Sequence, residues 1–399
     1  MKRISFSLLT IAILSFILVH SCSTDDKNTV APIVQILETE QQVKQYTLTV
    51  TSAEGGTVSN EGGTYDEGTT IELIATPSEG YEFVKWEEQD KTTPELTITI
   101  NSNITISAIF KRICVSDQIL YEERGDCNES LTFNSEFSMN LTESTRVIIS
   151  NSIPNHLVGL FGGGPGSLNP HTITEQNKRY ELPLNPTIGN NFTPLLGQNG
   201  PRFSFGIILN GIELDPVAAE PFPHEDGPIS SQLNANWEWN LEATTSLLGL
   251  DCNNAHVQPS GQYHYHGAPT NYLNSLNLES NTMTLVGYAA DGFPIYYKYA
   301  YTDATDNTSA IELMTSSYQL KLGNRPGDGI SAPCDVYNGV YVNDYEYVDG
   351  LGTLDEANGR TGITPEFPNG IYYYIITDEF PGIPRYLKGI PSDDFKLGS

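Results

Sequence analysis

Three histidines stand close together in Asn254-Ala255-His256-Val257-Gln258-Pro259-Ser260-Gly261-Gln262-Tyr263-His264-Tyr265-His266. Imidazole nitrogen suits both Zn²⁺ and Cu²⁺, and three imidazoles on one surface form the donor set of a transition-metal site. The residues between them dictate how they meet. Val and Tyr favour strands and Pro259-Ser260-Gly261 is turn chemistry, so the stretch predicts a hairpin folded about Ser260. His256 and His264 are each four residues from Ser260 and therefore oppose one another. His264 and His266 share a strand face, about 6.5–7 Å apart along the strand. Val257, Tyr263 and Tyr265 fall on the other face. The alternative is a His- and Tyr-rich hairpin packed in a core, its ring nitrogens bonded to backbone. Three adjacent imidazoles repel once protonated, below pH about 6.5, so a purely structural cluster weakens a fold in mild acid.

Other residues could serve such a site. Asp291, in Ala290-Asp291-Gly292-Phe293-Pro294, is either a turn former or a carboxylate that orients an imidazole or acts as general base beside a metal-bound water. Glu220 and Asp251 are further candidates for that role. His171 and His224 sit among Gly, Pro and Asn and read as loop residues. The chain has no Gly-x-Ser-x-Gly elbow, phosphate loop or Cys-His nucleophile arrangement. Gly162-Gly163-Gly164-Pro165-Gly166 has no helix-forming continuation and reads as a flexible loop.

The elements that must position these residues are strands. The chain has 399 residues, 17% of them charged, is rich in Gly, Pro, Tyr, Thr and Asn, and shows few stretches of 3.6-residue apolar period. That composition predicts a mainly β protein: a small β-rich module followed by a larger β-sandwich-like domain with many loops. The 20 Lys+Arg against 49 Asp+Glu disfavour nucleic acid and anionic membrane surfaces as partners.

An internal echo bears on the hairpin. Leu250-Asp251…Asn254-Ala255-His256 is repeated as Leu354-Asp355…Asn358-Gly359-Arg360, and Tyr263-His264-Tyr265-His266 as Tyr372-Tyr373-Tyr374-Ile375, with five extra residues between the halves. Arg360, Tyr373 and Ile375 replace the three histidines, so the echo implies a hairpin that can be built without them.

The start of the chain reads as an export signal. Lys2 and Arg3 precede an apolar run from Ile4 to Val19, followed by His20-Ser21-Cys22. It resembles a bacterial lipoprotein lipobox, with residues 1–21 as signal peptide and Cys22 as the lipidated N-terminus of the mature protein. The mature chain then carries 18 basic against 49 acidic residues. Asp25-Asp26 resembles the surface-export signal of some Bacteroidetes lipoproteins, which implies an envelope protein anchored in the outer membrane by lipid and exposed at the surface. Residues 22–43 are polar and read as a tether. Four further cysteines, Cys114, Cys127, Cys252 and Cys334, allow three pairings, and an oxidising envelope favours disulfides. The expected pairs are Cys114–Cys127, a short local loop, and Cys252–Cys334. The other option for Cys252 is a soft metal ligand near His256.

Residues 44–112 resemble the divergent internalin-type B-repeat, through Gly55-Gly56-Thr57-Val58, Gly63-Thr64-Tyr65-Asp66-Glu67-Gly68-Thr69, Ala75-Thr76-Pro77 to Trp86, and Ile106-Ser107-Ala108-Ile109-Phe110. That resemblance implies a spacer or interaction unit, with Trp86 either a core residue or a ligand platform. Residues 113–399 resemble the YHYH-domain family. Besides the motif itself, the matching pieces are Ser150 to His156, Leu209-Asn210-Gly211-Ile212 with Asp215-Pro216, Leu248 to Asp251, Gly287 to Tyr296, Asp344 to Tyr347, Leu354 to Glu356, Asn358 to Arg360, and Ile383 to Tyr386. The family often has Cys where this chain has Ala357. His156 closes one of these segments and is the expected fourth metal ligand.

Three functions fit these features: an exported domain that binds, stores or handles copper or zinc; a metalloenzyme, such as a metal-dependent hydrolase, whose open metal position activates water; and a surface adhesion or glycan-binding protein, its extracellular protein or glycan ligand meeting Tyr-rich faces while the histidines are structural.

Overall fold

The computed structural model describes residues 43–114, 123–223, 235–245 and 248–397. The signal segment, Cys22, His224 and nearly all of the tether lie outside the described residues. The chain separates into two compact units, the first ending at Phe110 and the second beginning at Lys111, with Ser78–Glu82 grouped with the second.

The first unit is built of β1 (Gln45–Ser52), β2 (Gly56–Val58), β3 (Gly62–Asp66), β4 (Thr69–Pro77), β5 (Tyr81–Trp86), β6 (Glu95–Ile100) and β7 (Ile104–Arg112). They form a four-stranded sheet in the order β3-β1-β7-β5 and a three-stranded sheet β2-β4-β6. Strict alternation explains the core: β6 buries Leu96, Ile98 and Ile100, and β7 buries Ile106, Ala108 and Phe110. Trp86 is fully buried with its indole N–H donating to the Pro94 carbonyl at 3.3 Å, so it belongs to the core and is not a platform for a ligand.

The second unit centres on an eight-stranded sheet made of two like halves. In the first half, an inner hairpin (Gly206–Ile208 and Glu213–Leu214) lies beside an outer hairpin (Ala255–Val257 and Tyr263–Tyr265). In the second, an inner hairpin (Leu285–Ala289 and Pro294–Tyr297) lies beside an outer one (Gly359–Gly362 and Ile371–Ile376). Within each half both hairpins are antiparallel, and the second strand of the inner hairpin runs parallel to the second strand of the outer. The halves join through the antiparallel pair Gly206–Ile208 and Leu285–Ala289, so the pairing pattern reads the same from either edge.

The match extends to single side chains. Asn210-Gly211 and Asp291-Gly292 make the two inner turns, with the glycines at φ +84° and +89°, where a side chain would be strained. Asn254 and Asn358 adopt φ 55° and 52° ahead of the outer hairpins, as short polar side chains tolerate. Tyr263 donates to Asp251 at 2.8 Å, and Tyr372 to Asp355 at 3.0 Å. Asn210 donates to the Tyr265 hydroxyl at 2.9 Å, and Tyr374 donates to Asp291 at 2.6 Å. All four tyrosines lie in one large core with Ile207, Leu214, Phe205, Phe293 and Ile295. The echo in the sequence is therefore a duplicated structural unit.

The disulfides differ from the expected pairs. Cys114 bonds Cys334, and Cys127 bonds Cys252. The second pairing has a local cause: Gly125 bridges Asp251, its N–H donating to the Leu250 carbonyl at 3.0 Å, which lays Cys127 beside Cys252. With its sulfur so engaged, Cys252 is not available as a metal ligand.

Candidate metal centre

The outer hairpin of the first half has the register its turn demands. Ala255 pairs with Tyr265, His256 with His264 and Val257 with Tyr263. The Gln258 N–H donates to the Gln262 carbonyl at 2.9 Å and closes the loop, whose Gly261 takes φ +84°. Tyr263 and Tyr265 point into the core at zero exposure. The histidines take the opposite face. His264 Nε2 lies 3.0 Å from His266 Nε2, which lies 3.1 Å from His256 Nε2, and the three form a group able to hold a metal ion. Tetrahedral Zn–N bonds of about 2.0–2.1 Å separate ligand nitrogens by about 3.3–3.4 Å, close to the spacing found.

The proton count favours an ion. A neutral imidazole has one N–H, so the Nε2 of His266 can donate to one neighbour and not to both. His256 Nδ1 sits 2.9 Å from the Leu248 carbonyl; donating there leaves its Nε2 lone pair aimed at the cluster, as in histidines that ligate metals. His264 Nδ1 lies 3.5 Å from the Gln262 carbonyl, and His266 Nδ1 has no partner among the described residues. Burial holds His264 and His266 well below the usual imidazole range, reinforced by His256. Burial also lowers His256, against the pull of the Leu248 carbonyl. Neutral imidazoles at neutral pH are ready ligands.

The cluster opens on a cleft of about 830 Å³ lined also by His171, Asp215, Glu220 and Trp237. Burial, with Glu213 nearby, raises Asp215 to about 8, and burial raises Glu220 to about 6.

His156 is not the fourth ligand. Its Nε2 is 2.6 Å from the Tyr265 hydroxyl and its Nδ1 2.8 Å from the Leu157 carbonyl, so both nitrogens are occupied on the tyrosine face, behind the sheet from the cluster. Asp291 is likewise displaced: it holds the Tyr374 hydroxyl and the N–H groups of Phe293 and Gly389, as the second-half counterpart of Asn210. Asp251 accepts from Tyr263 and from the Gly159 N–H, also on the tyrosine face. The tyrosines of the two outer hairpins offer no contact surface, because Tyr263, Tyr265, Tyr372, Tyr373 and Tyr374 are all buried. Asp215 was not marked by sequence reasoning as part of the site; the signal available was its place in the duplicated unit.

The tyrosine face supports the histidines and can be tested. Tyr265→Phe removes a hydroxyl that meets His156 and accepts from Asn210. A buried polar group left without its partner costs about 1–3 kcal/mol. Urea unfolding should show a loss of that size, with metal content unchanged.

Such a duplicated β domain, with imidazoles on one outer hairpin and none on its twin, defines a four-hairpin sheet protein with one candidate metal face. The chain belongs to the YHYH protein family, whose model matches residues 179–389. The divergent InlB B-repeat domain matches residues 46–114. Both halves of the sheet lie inside the first match; the segment Ser150 to His156, Cys114 and Cys127 lie outside it. No curated protein and no solved structure gives a significant match to the chain.

Proposed function

We propose that this protein binds one transition-metal ion, Zn²⁺ or Cu²⁺, through His256, His264 and His266, and that it does so as a lipid-anchored protein of the cell envelope. The observation that carries the first part is the convergence of three Nε2 atoms at 3.0 and 3.1 Å, on two buried rings and one half-buried one, a spacing their own hydrogens cannot satisfy at both contacts. The donor set contains nitrogen and no sulfur, which suits either ion. The lipobox-like sequence ending at Cys22 and the two disulfides support the envelope. The cleft above the imidazoles favours a second reading, a metal-dependent hydrolase, because a storage site has no need of an open approach some hundreds of Å³ in volume.

Metal analysis of the full-length protein after loading and desalting tests the site. The expected result is about one ion per chain in the natural protein and none in the triple His256/His264/His266→Ala variant. No metal in the natural protein, or equal metal in both, overturns the reading. For the anchor, Cys22→Ser should release the protein from membranes; a variant that still partitions with lipid refutes it.

A further inference from the structure

We infer that Asp215, which lines the cleft beside the three-His group without belonging to it, supports the metal site and supplies the negative charge that three neutral imidazoles lack. The inference rests on the three-His reading above and takes it further, to the composition of the site.

Register places Asp215 there. In the parallel pair, Glu213 lies beside His264 and Leu214 beside Tyr265. The next N–H, that of Asp215, donates to the Tyr265 carbonyl at 2.8 Å. Continuing by one residue sets Asp215 beside His266, and alternation turns it away from Leu214 and the core, towards the imidazole face. Its side chain accordingly lines the cleft with the three histidines.

Its bonding is incomplete. Asp215 is 5% exposed, and its Oδ1 has no hydrogen-bond partner among the described residues. Its other bond is to the Val217 N–H. A buried carboxyl oxygen left unpaired is costly, and such groups usually have an ion or a partner to meet.

The duplicated half supplies independent evidence. Tyr296 pairs with Ile375 there, as Asp215 neighbours His266 here. Tyr296, Tyr373 and Ile375 pack with Met283, Ala300, Met314 and Leu354 in a closed apolar cluster, and Tyr296 meets Tyr373 edge-on at 5.5 Å. Where the histidines are absent, Tyr296 stands in the place of Asp215 and the face is closed over, with the nearby carboxylate of Glu366 bonded to the Tyr296 hydroxyl at 2.6 Å rather than left unpaired. The four positions differ between the halves as a set, which a carboxyl unrelated to the imidazoles would have no reason to do.

The test is Zn²⁺ titration of the full-length protein, read by calorimetry and by thermal melts with and without metal, in the natural chain, Asp215→Asn and Glu220→Gln. Asp215→Asn should weaken Zn²⁺ binding about 10–100-fold, the range for losing a supporting group at a metal site. Its metal-free melting temperature should be no lower than that of the natural protein, because no satisfied bond is lost. Glu220→Gln, a cleft carboxylate outside the duplicated strands, should stay within about twofold of the natural affinity. Natural protein that binds no Zn²⁺ removes the three-His reading and this inference together. Natural protein that binds, with Asp215→Asn equally tight, or with Glu220→Gln equally weakened, removes the inference alone. A lower metal-free melting temperature in Asp215→Asn also removes it, by showing a packing role.

Discussion

Stability of the metal-free protein should fall steeply between pH 6.5 and 5, and the triple His256/His264/His266→Ala variant should lack that part of the fall. Burial keeps His264 and His266 well below the ordinary imidazole value and lowers His256 as well. In the unfolded chain they titrate near pH about 6.5. Below that value the unfolded state binds protons that the folded state refuses, so stability is full above it and is lost as pH falls. Each imidazole contributes a slope of up to about 1.4 kcal/mol per pH unit, and three approach about 4. Asp215, raised to about 8, has the opposite slope, since its folded form keeps a proton that the unfolded form sheds; it is present in both proteins and drops out of the comparison. Urea unfolding in EDTA across this window measures the difference. Parallel pH profiles for the two proteins would show that the imidazoles are not held neutral. Bound metal should raise the whole natural profile and carry its fall on to lower pH, because each ligand nitrogen is then closed to protons in the folded state while the unfolded chain still takes them up.

Removing either disulfide should cost about 5 kcal/mol in the chain-entropy account, since closing loops of this length constrains the unfolded chain strongly. The bonds join residues 220 and 125 apart. The two should part company in their effect on the site. Cys252 adjoins Asp251, whose carboxylate holds the Tyr263 hydroxyl beneath the histidines, so Cys127→Ala/Cys252→Ala should weaken metal binding as well as stability. Cys114→Ala/Cys334→Ala should leave metal affinity near that of the natural protein. Non-reducing peptide mapping checks the premise: a peptide joining Cys114 to Cys127 would contradict it.

The hairpin was legible because its information is local. A turn at Pro259-Ser260-Gly261 and alternation of period two settle which side chains share a face, whatever the rest of the chain does. The B-repeat strands were legible for the same reason. The failures are all of long range. Proximity in sequence suggested Cys114–Cys127, but the bridge from Gly125 to Asp251 carries Cys127 elsewhere. His156 and Asp291 were of the right type, yet spacing within a segment cannot say on which side of a sheet a distant segment docks. Asp215 is joined to His266 by a parallel pairing whose two strands are about fifty residues apart. Only the echo, followed strand by strand, could have reached it.

The two halves of the sheet also differ in what substitution would mean for them. In the second, the imidazole positions are filled by Arg360, Tyr373 and Ile375, with Arg360 donating to the Tyr373 hydroxyl at 2.6 Å and the face closed over. Both halves anchor a tyrosine face in the common core, but only the second also buries its other face in an apolar cluster of its own. One copy is thus packed on both sides, and the other leaves three imidazoles facing a cleft where its twin has packing.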